Sequence, residues 1–322
     1  MKPWLSRFQS GIGLLLVFIL AVLFSPHARD GSIIFLNLGN LSDVLRQQAE
    51  IGIIALAMTL VIISGGIDLS VGSIVAFSAS LLAMLLVRWN GAGPSREAIA
   101  MAAAIGACAL IGMVNGVIVA RLRIQPFIVT LSAMIAIRGL ARWMTNNNNI
   151  DFGFGQDLSA RFAALFSDKL LVILLWAILS VIFYLLLEYT LFGRYLRAVG
   201  ENEKAARFTG LPIARVKLAA YILSGLAAGL AGVLHAARSH QGNPNDGVAY
   251  ELDAIAAVVI GGTPLSGGQG SIAGTVVGTL IMGILTNLLR LRLIDANLEL
   301  MIKAVIIIAA VWMQSVRKSS KA

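Results

Sequence analysis

VIISGGIDLSVGSI (residues 61–74) and VVIGGTPLSGGQGSI (258–272) decide how this chain folds. Each is an apolar run stopped by a glycine pair, followed by a short polar passage and a second apolar run. Laying Gly65-Gly66 over Gly261-Gly262 also lays Leu69-Ser70 over Leu265-Ser266, at one offset of 196 residues (65 to 261, 69 to 265). At that offset the first apolar segment of the chain falls near 217–237, and 98–120 falls over 299–314. Two related halves in the same orientation imply a pseudo-twofold axis along the membrane normal.

Composition supports a membrane setting. Hydrophobic residues make up 58% of the 322 and charged residues only 13%, against about 25% in soluble domains. Runs at 11–24, 98–120, 124–143, 169–188, 217–237 and 299–314 approach the ~20 residues that cross a bilayer core. The first has no clear signal-peptidase site after it and reads as an uncleaved span. Ile51–Ile63 with Ile74–Val87, and Leu252–Ile260 with Ile272–Leu289, flank the two glycine stretches, and most of these flanks look too short to cross alone. Counting them gives ten helices, and counting only the long spans gives six. The expected fold is an all-α polytopic membrane protein, one transmembrane domain over 1–322. It has about ten transmembrane or half-membrane helices in two parallel repeats, broken at 64–73 and 261–271.

The net charge of +9 would suggest nucleic acid in a soluble chain, but here the basic residues punctuate apolar runs. Lys2 and Arg7, Arg121 and Arg123, the basic residues of 190–217, and Arg317, Lys318 and Lys321 occupy few, short connections. That placement puts both termini and the 190–216 loop in the cytoplasm of a multi-pass inner-membrane protein, with the lipid bilayer as partner and no nucleic acid. Cys108 is the single cysteine, so there is no internal disulfide.

A helix broken inside a membrane frees backbone groups that must be buried in protein or face water, and transporters line solute paths with them. Ser64, Gly65, Gly66, Asp68 and Ser70, with Gly261, Gly262, Thr263 and Ser266, are therefore candidates for a path or gate. The alternative is that the glycines only permit close packing, which is the better reading of Gly112/Gly116, Gly225/Gly229 and Gly274/Gly278. Asp68 reads either as an N-terminal helix cap or as part of an ion route. Pro264 at the matching place cannot carry a proton, which argues against a paired relay.

Chemistry-bearing motifs are missing. There is no G-x-x-x-x-G-K-[ST] phosphate loop, no H-E-x-x-H, no G-x-S-x-G, and no metal-ligand spacing among His27, His235 and His240. His235 reads as a packed or solvated residue near an outer helix end. The letters of 268–273 match a dinucleotide fingerprint without the strand–helix unit that would give it meaning. No catalytic, cofactor or metal site is expected.

The segment FGRYLRAVGENEKAARFTGLPIARVKLAAY (192–221) carries clear punctuation. Asn202 can cap a short helix starting at Glu203, Gly210 can end it, and Pro212 can start the next. Such a helix either lies on anionic lipid or docks a soluble partner.

LVIISGGIDLSVGS (60–73), GRYLRAVGENEKAARFTGL (193–211) and YELDAIAAVVIGGTPLSGGQGSIAGT (250–275), supported by NGVIVARLRIQPFIVTL (115–131) and IKAVIIIAAVW (302–312), resemble the permease subunits of bacterial ABC importers for ribose and related sugars. The resemblance covers about residues 45 to 314. It implies a permease paired with a second permease copy, identical or paralogous, and a periplasmic sugar-binding protein. It also implies a separate ATPase of two fused nucleotide-binding halves, which would hold the ATP and Mg. In such importers the 193–211 segment resembles the coupling helix, which makes Gly193, Gly200, Asn202, Lys204, Ala205, Ala206, Arg207, Phe208 and Gly210 candidates for ATPase contact. Ala205 and Ala206 would allow close approach. A stand-alone secondary transporter or channel is the alternative, and it would need intramembrane ionisable groups, of which Asp68 is the one evident from sequence.

Overall fold

The computed structural model describes residues 3–89, 94–155 and 158–319, almost entirely as helices. They are α1 (Pro3–Leu23), α2 (Leu38–Ile63), α3 (Val71–Arg88), α4 (Pro94–Arg121), α5 (Pro126–Met144), α6 (Leu158–Ser167) and α7 (Lys169–Tyr189). After these come α8 (Leu191–Glu201), α9 (Glu203–Phe208), α10 (Ile213–Ser239), α11 (Tyr250–Ile260), α12 (Ile272–Leu291) and α13 (Ala296–Ser319). Lys2 and Lys321 of the basic set lie outside the described residues.

Among the described residues α2, α3, α4, α5, α7, α10 and α12 are long and apolar enough to cross a membrane. With α1, the short α11 and α13 they make up the ten expected helices. Two-residue strands β1 (Ile150–Asp151) and β2 (Gln241–Gly242) pair antiparallel between the connections 145–157 and 240–249.

The first broken pair is longer than the sequence suggests. α2 does not begin at Ile51; it runs 26 residues from Leu38, and the Asn37 side chain before it caps Gly39 N at 2.8 Å. Arg46, Gln48 and Glu50 end the apolar run on paper, yet they lie buried inside this helix. An i,i+4 ion pair of 2.7 Å joins Arg46 to Glu50 and lets the helix continue. α2 is the centre of the bundle, surrounded by α7, α10, α11 and α12.

α4 and α10 cross antiparallel at their glycines. A side chain on Gly225 would strike the backbone of Cys108 and Gly112, and one on Gly116 would strike Leu218. The spaced glycines thus do serve packing, as the small-residue pattern predicts. Leu, Ile and Val side chains on the outer face of α7 are exposed, which is the pattern of a lipid-facing helix.

Candidate functional site

Three glycine-bearing segments far apart in sequence meet at the end of the bundle where α2 and α11 stop. α2 stops with Gly65 N–H donating to Ile62 O (2.9 Å) and Gly66 N–H to Val61 O (3.0 Å), Gly65 being left-handed at φ +82°. α11 stops the same way: Gly262 N–H donates to Val259 O (2.9 Å), Thr263 N–H to Val258 O (3.2 Å), and Gly262 has φ +95°. These are two copies of one glycine-terminated helix end. They correspond at an offset of 197 (65 to 262), not the 196 that the paired letters suggest. The left-handed residue must be glycine in both copies, so Ser64 matches Gly261 and Gly66 matches Thr263.

The first break is also shorter than 64–73, because α3 begins at Val71 and takes in Gly72 and Ser73. The second runs from Gly261 to Ser271, as expected.

The two breaks touch. Gly268 N–H donates to Ile63 O at 2.9 Å, and a Cβ on Gly267 would lie 3.0 Å from Gly65 N. Gly200 of α8 closes the junction: a Cβ there would lie 2.6 Å from Gly268 N and closer still to Ile63 O. Gly268 is equally tight against Glu201. The end of α8 therefore abuts the stop of α2 and the polar passage of the second break directly.

Asp68 sits behind this junction, fully buried. Its Oδ1 accepts from Ser70 N (3.0 Å) and Ser70 Oγ (2.5 Å), and its Oδ2 accepts from Ser224 Oγ of α10 (2.7 Å). The cap position of α3 belongs to Ser70, so the capping expectation for Asp68 is corrected to a local turn plus a tie to α10. Asn115 of α4 donates to Ser70 Oγ at 3.0 Å, and the buried Tyr221 hydroxyl crowds Gly66. Of the other break residues, Ser64 and Thr263 are buried, while Gly262 and Ser266 are exposed. Ser64 Oγ donates to Val61 O (2.7 Å).

The loop helix forms as its punctuation predicts. Asn202 Oδ1 accepts from Ala205 N (3.0 Å), and Gly210 at φ +77° ends α9. Gly193 packs on the backbone of Leu187. Lys204, Ala205, Arg207 and Phe208 are exposed, Phe208 at 92%. Ala206, expected at a partner contact, is instead 4% exposed within this chain's own core, which takes it out of any such contact. At Glu203, burial works against the Lys217 ammonium (2.6 Å) and Arg207 guanidinium (3.1 Å), and the two cations hold its carboxyl below its ordinary value.

Sequence reasoning missed a buried ionic group. His235 Nδ1 lies 3.0 Å from Glu50 and its Nε2 lies 3.1 Å from Asp246, while Arg46 and Arg238 also reach Glu50. His235 is therefore neither solvated nor merely packed. A second set joins Asp253 to Lys303 (3.2 Å) and Lys303 to Glu299 (3.0 Å). Asp68 is thus not alone among ionisable groups in the bundle. The signal available was the i,i+4 spacing of Arg46 and Glu50. Among the described residues no group of His, Cys, Asp and Glu is arranged to hold a metal ion.

Between α4 and α5 lies a cleft of about 530 Å³, walled by Leu, Ile, Val and Ala, with Asn115 and Ser132 as its polar points and no charged side chain.

The family model described as a branched-chain amino acid transport system / permease component matches residues 40–311. The ribose import permease protein RbsC of Escherichia coli (strain K12) is 39% identical over 96% of this chain and 94% of its own length. RbsC of Bacillus subtilis (strain 168) is 40% identical over 96% and 92%. The L-arabinose ABC transporter permease protein AraH of Azospirillum brasilense is 34% identical over 89% and 83%. No solved structure matches the chain.

Proposed function

The chain belongs to the transport-system permease-component family matched over residues 40–311, and from that premise and its 39% identity to a ribose import permease we propose that it carries a monosaccharide-class solute inward by alternating access. The energy comes from ATP, with Mg, hydrolysed on a separate ATPase of two fused halves. A second permease copy completes the pathway, and a periplasmic sugar-binding protein delivers the solute. In this reading the protein lies in the inner membrane with both termini and the 190–216 loop in the cytoplasm, and it performs no covalent chemistry itself.

One observation supports the mechanism most: at Gly200, α8 abuts the stop of α2 and Gly268 of the second break. A push received on the exposed α9, Phe208 foremost, has only to cross α8 to reach Ile63 and Gly268. Packed interfaces pass such displacements on as shifts between discrete arrangements. The test is uptake into proteoliposomes holding the permease pair and its ATPase. Transport should need ATP and stop when the ATPase cannot hydrolyse it.

The buried ionisable groups favour a second reading, a stand-alone transporter coupled to an ion gradient. Glu50 already faces Arg46, Asp253 faces Lys303 and Asp68 faces Ser70 and Ser224, which ties these acids into fixed pairs rather than a relay. Uptake driven by a proton or sodium gradient in liposomes without the ATPase would establish that reading instead.

A further inference from the structure

Asn115 belongs to two environments at once. It lines the α4–α5 cleft, and its side chain enters the buried cluster behind the first break. The residue is only 2% exposed, and one amide hydrogen is spent on Ser70 Oγ at 3.0 Å. No donor among the described residues meets its Oδ1. An amide offers two donors and an acceptor, so two of the three are unused here. Its Oδ1 has no partner among the described residues and yet is not a buried atom, so it opens onto the cleft from a wall of Leu, Ile and Val. The bond to Ser70 accounts for one amide hydrogen, and packing gives no reason for the rest of the amide.

We infer that Asn115 receives the hydroxyl groups of the transported solute in the α4–α5 cleft and passes occupancy to the first break through Ser70 and Asp68. This rests on the reading of the chain as a solute permease and assigns it a contact residue.

The cleft limits the solute. Its volume of about 530 Å³ lies in the range of small-molecule sites. With no charged side chain on its walls, a charged solute would enter without a counter-ion, which a low-dielectric site penalises. The fitting class is an uncharged, polyhydroxylated molecule of monosaccharide size. One hydroxyl can donate to Asn115 Oδ1, and another can accept from its second amide hydrogen.

The route onward is contiguous. Turning the amide toward a solute weakens its hold on Ser70 Oγ. Ser70 in turn donates to Asp68 at 2.5 Å, and Asp68 is tied to α10 through Ser224 at 2.7 Å. The same break begins at Ile63, whose carbonyl accepts from Gly268 and abuts Gly200. Occupancy of the cleft thus biases the junction that α8 touches.

The experiment uses the permease reconstituted with its ATPase and binding protein, and radiolabelled D-ribose, L-arabinose and D-galactose as separate probes. Asn115→Ala should raise KM for the transported sugar about tenfold, the size of one or two neutral hydrogen bonds, with kcat moving much less. Asn115→Gln should recover part of the loss. Ser70→Ala should do the reverse, lowering kcat while KM stays within about twofold. Asn115→Leu fills the same volume without the amide, so normal KM in that variant overturns the inference. Failure of the Ala and Leu variants alike to insert and assemble also overturns it, since the residue is then structural. Wild-type proteoliposomes with no ATP-dependent uptake of any of the three sugars would sink the permease reading underneath. ATP-driven uptake in the wild type with unaltered Asn115 variants sinks the inference alone.

Discussion

Gly200→Ala is the smallest change that should disconnect the basic loop from the broken helices. The added methyl carbon would lie 2.6 Å from Gly268 N and closer to Ile63 O, against an ordinary contact of about 3.5–4 Å. Neither obstacle is the end of a flexible side chain; both are backbone atoms, one at the stop of α2 and one in the second break. α8 must move away or the Gly268–Ile63 hydrogen bond of 2.9 Å must open. Overpacking costs about 1–3 kcal/mol and a lost backbone bond about 1 kcal/mol, so the junction should be weakened by roughly 2–4 kcal/mol. At 1.4 kcal/mol per factor of ten, that is on the order of 30- to 1000-fold in the equilibrium holding the three segments together. The matched control is Gly106→Ala on α4, where nothing lies within 4 Å of the new atom. There, alanine's better helix propensity should make the change neutral or slightly stabilising. ATP-driven uptake and thermal inactivation of the detergent-purified permease–ATPase complex read the outcome. Uptake should collapse for Gly200→Ala and persist for Gly106→Ala. Equal transport and equal melting in the two variants would refute the junction as a transmission point.

Phe208→Ala should weaken association with the ATPase about 10- to 100-fold in a pull-down titration and leave permease melting unchanged, because an exposed phenyl ring buried in a partner contributes about 1.5–3 kcal/mol. Ala206→Trp should instead destabilise the permease on its own, seen as a lower melting temperature without the ATPase, since the residue is buried within the chain. Asp68→Asn should keep partial transport, because its amide oxygen still accepts from Ser70 or Ser224, while Asp68→Leu strands both hydroxyls at about 1–3 kcal/mol each and should abolish it. Glu203 titrates below its ordinary value of 4.5, so its tie to Lys217 and Arg207 adds stability above that pH and loses it as pH falls through the lowered value. Acid melting curves of wild type and Glu203→Gln should therefore converge on the acid side and separate above it; a constant gap across pH would exclude the ion pair as the cause.

Much of the fold was legible because membrane helices announce themselves by length and apolarity, and glycine pairs mark where they stop. The spaced glycines were read correctly for the same reason: close backbone approach leaves room for no other residue. Three things were not legible. The left-handed residue at each stop is one glycine of a pair, and letters alone cannot say which, hence the shift from 196 to 197. The length of α2 was hidden because Arg46 and Glu50 look like a boundary until their ion pair is seen. The inward turn of Ala206 depends on where α8 and α10 stand beside it, and a six-residue helix carries too little periodicity to reveal it. Asn115 gave only the signal of a lone amide in an apolar run.

The two repeats differ most where the second gives up helix. α2 is helical along its whole length, whereas its counterpart is an irregular connection of turns, 240–249, followed by the eleven residues of α11. Gly242 lies against Ala79 and Gly247 against Gly72, so this connection runs back along α3 within the bundle. Non-helical backbone at that depth has carbonyls that its own chain does not satisfy. Arg138 of α5 supplies the missing donors, reaching Pro244 O at 2.9 Å and also Asp246 O. His235 holds the Asp246 side chain at 3.1 Å, and Glu50 holds His235 from α2. The buried charges are therefore concentrated where the second repeat departs from the first. Restoring a helix there would remove the need for them. Charges that secure an irregular segment should be sensitive to loss of a partner and insensitive to ion gradients. Arg138→Leu tests this, because it leaves two carbonyls without donors at about 1–3 kcal/mol each. The variant should melt earlier and show freer labelling of a cysteine placed at Asn245, with any residual uptake still following ATP. Unchanged melting and labelling would mean that the segment is held by something other than this guanidinium.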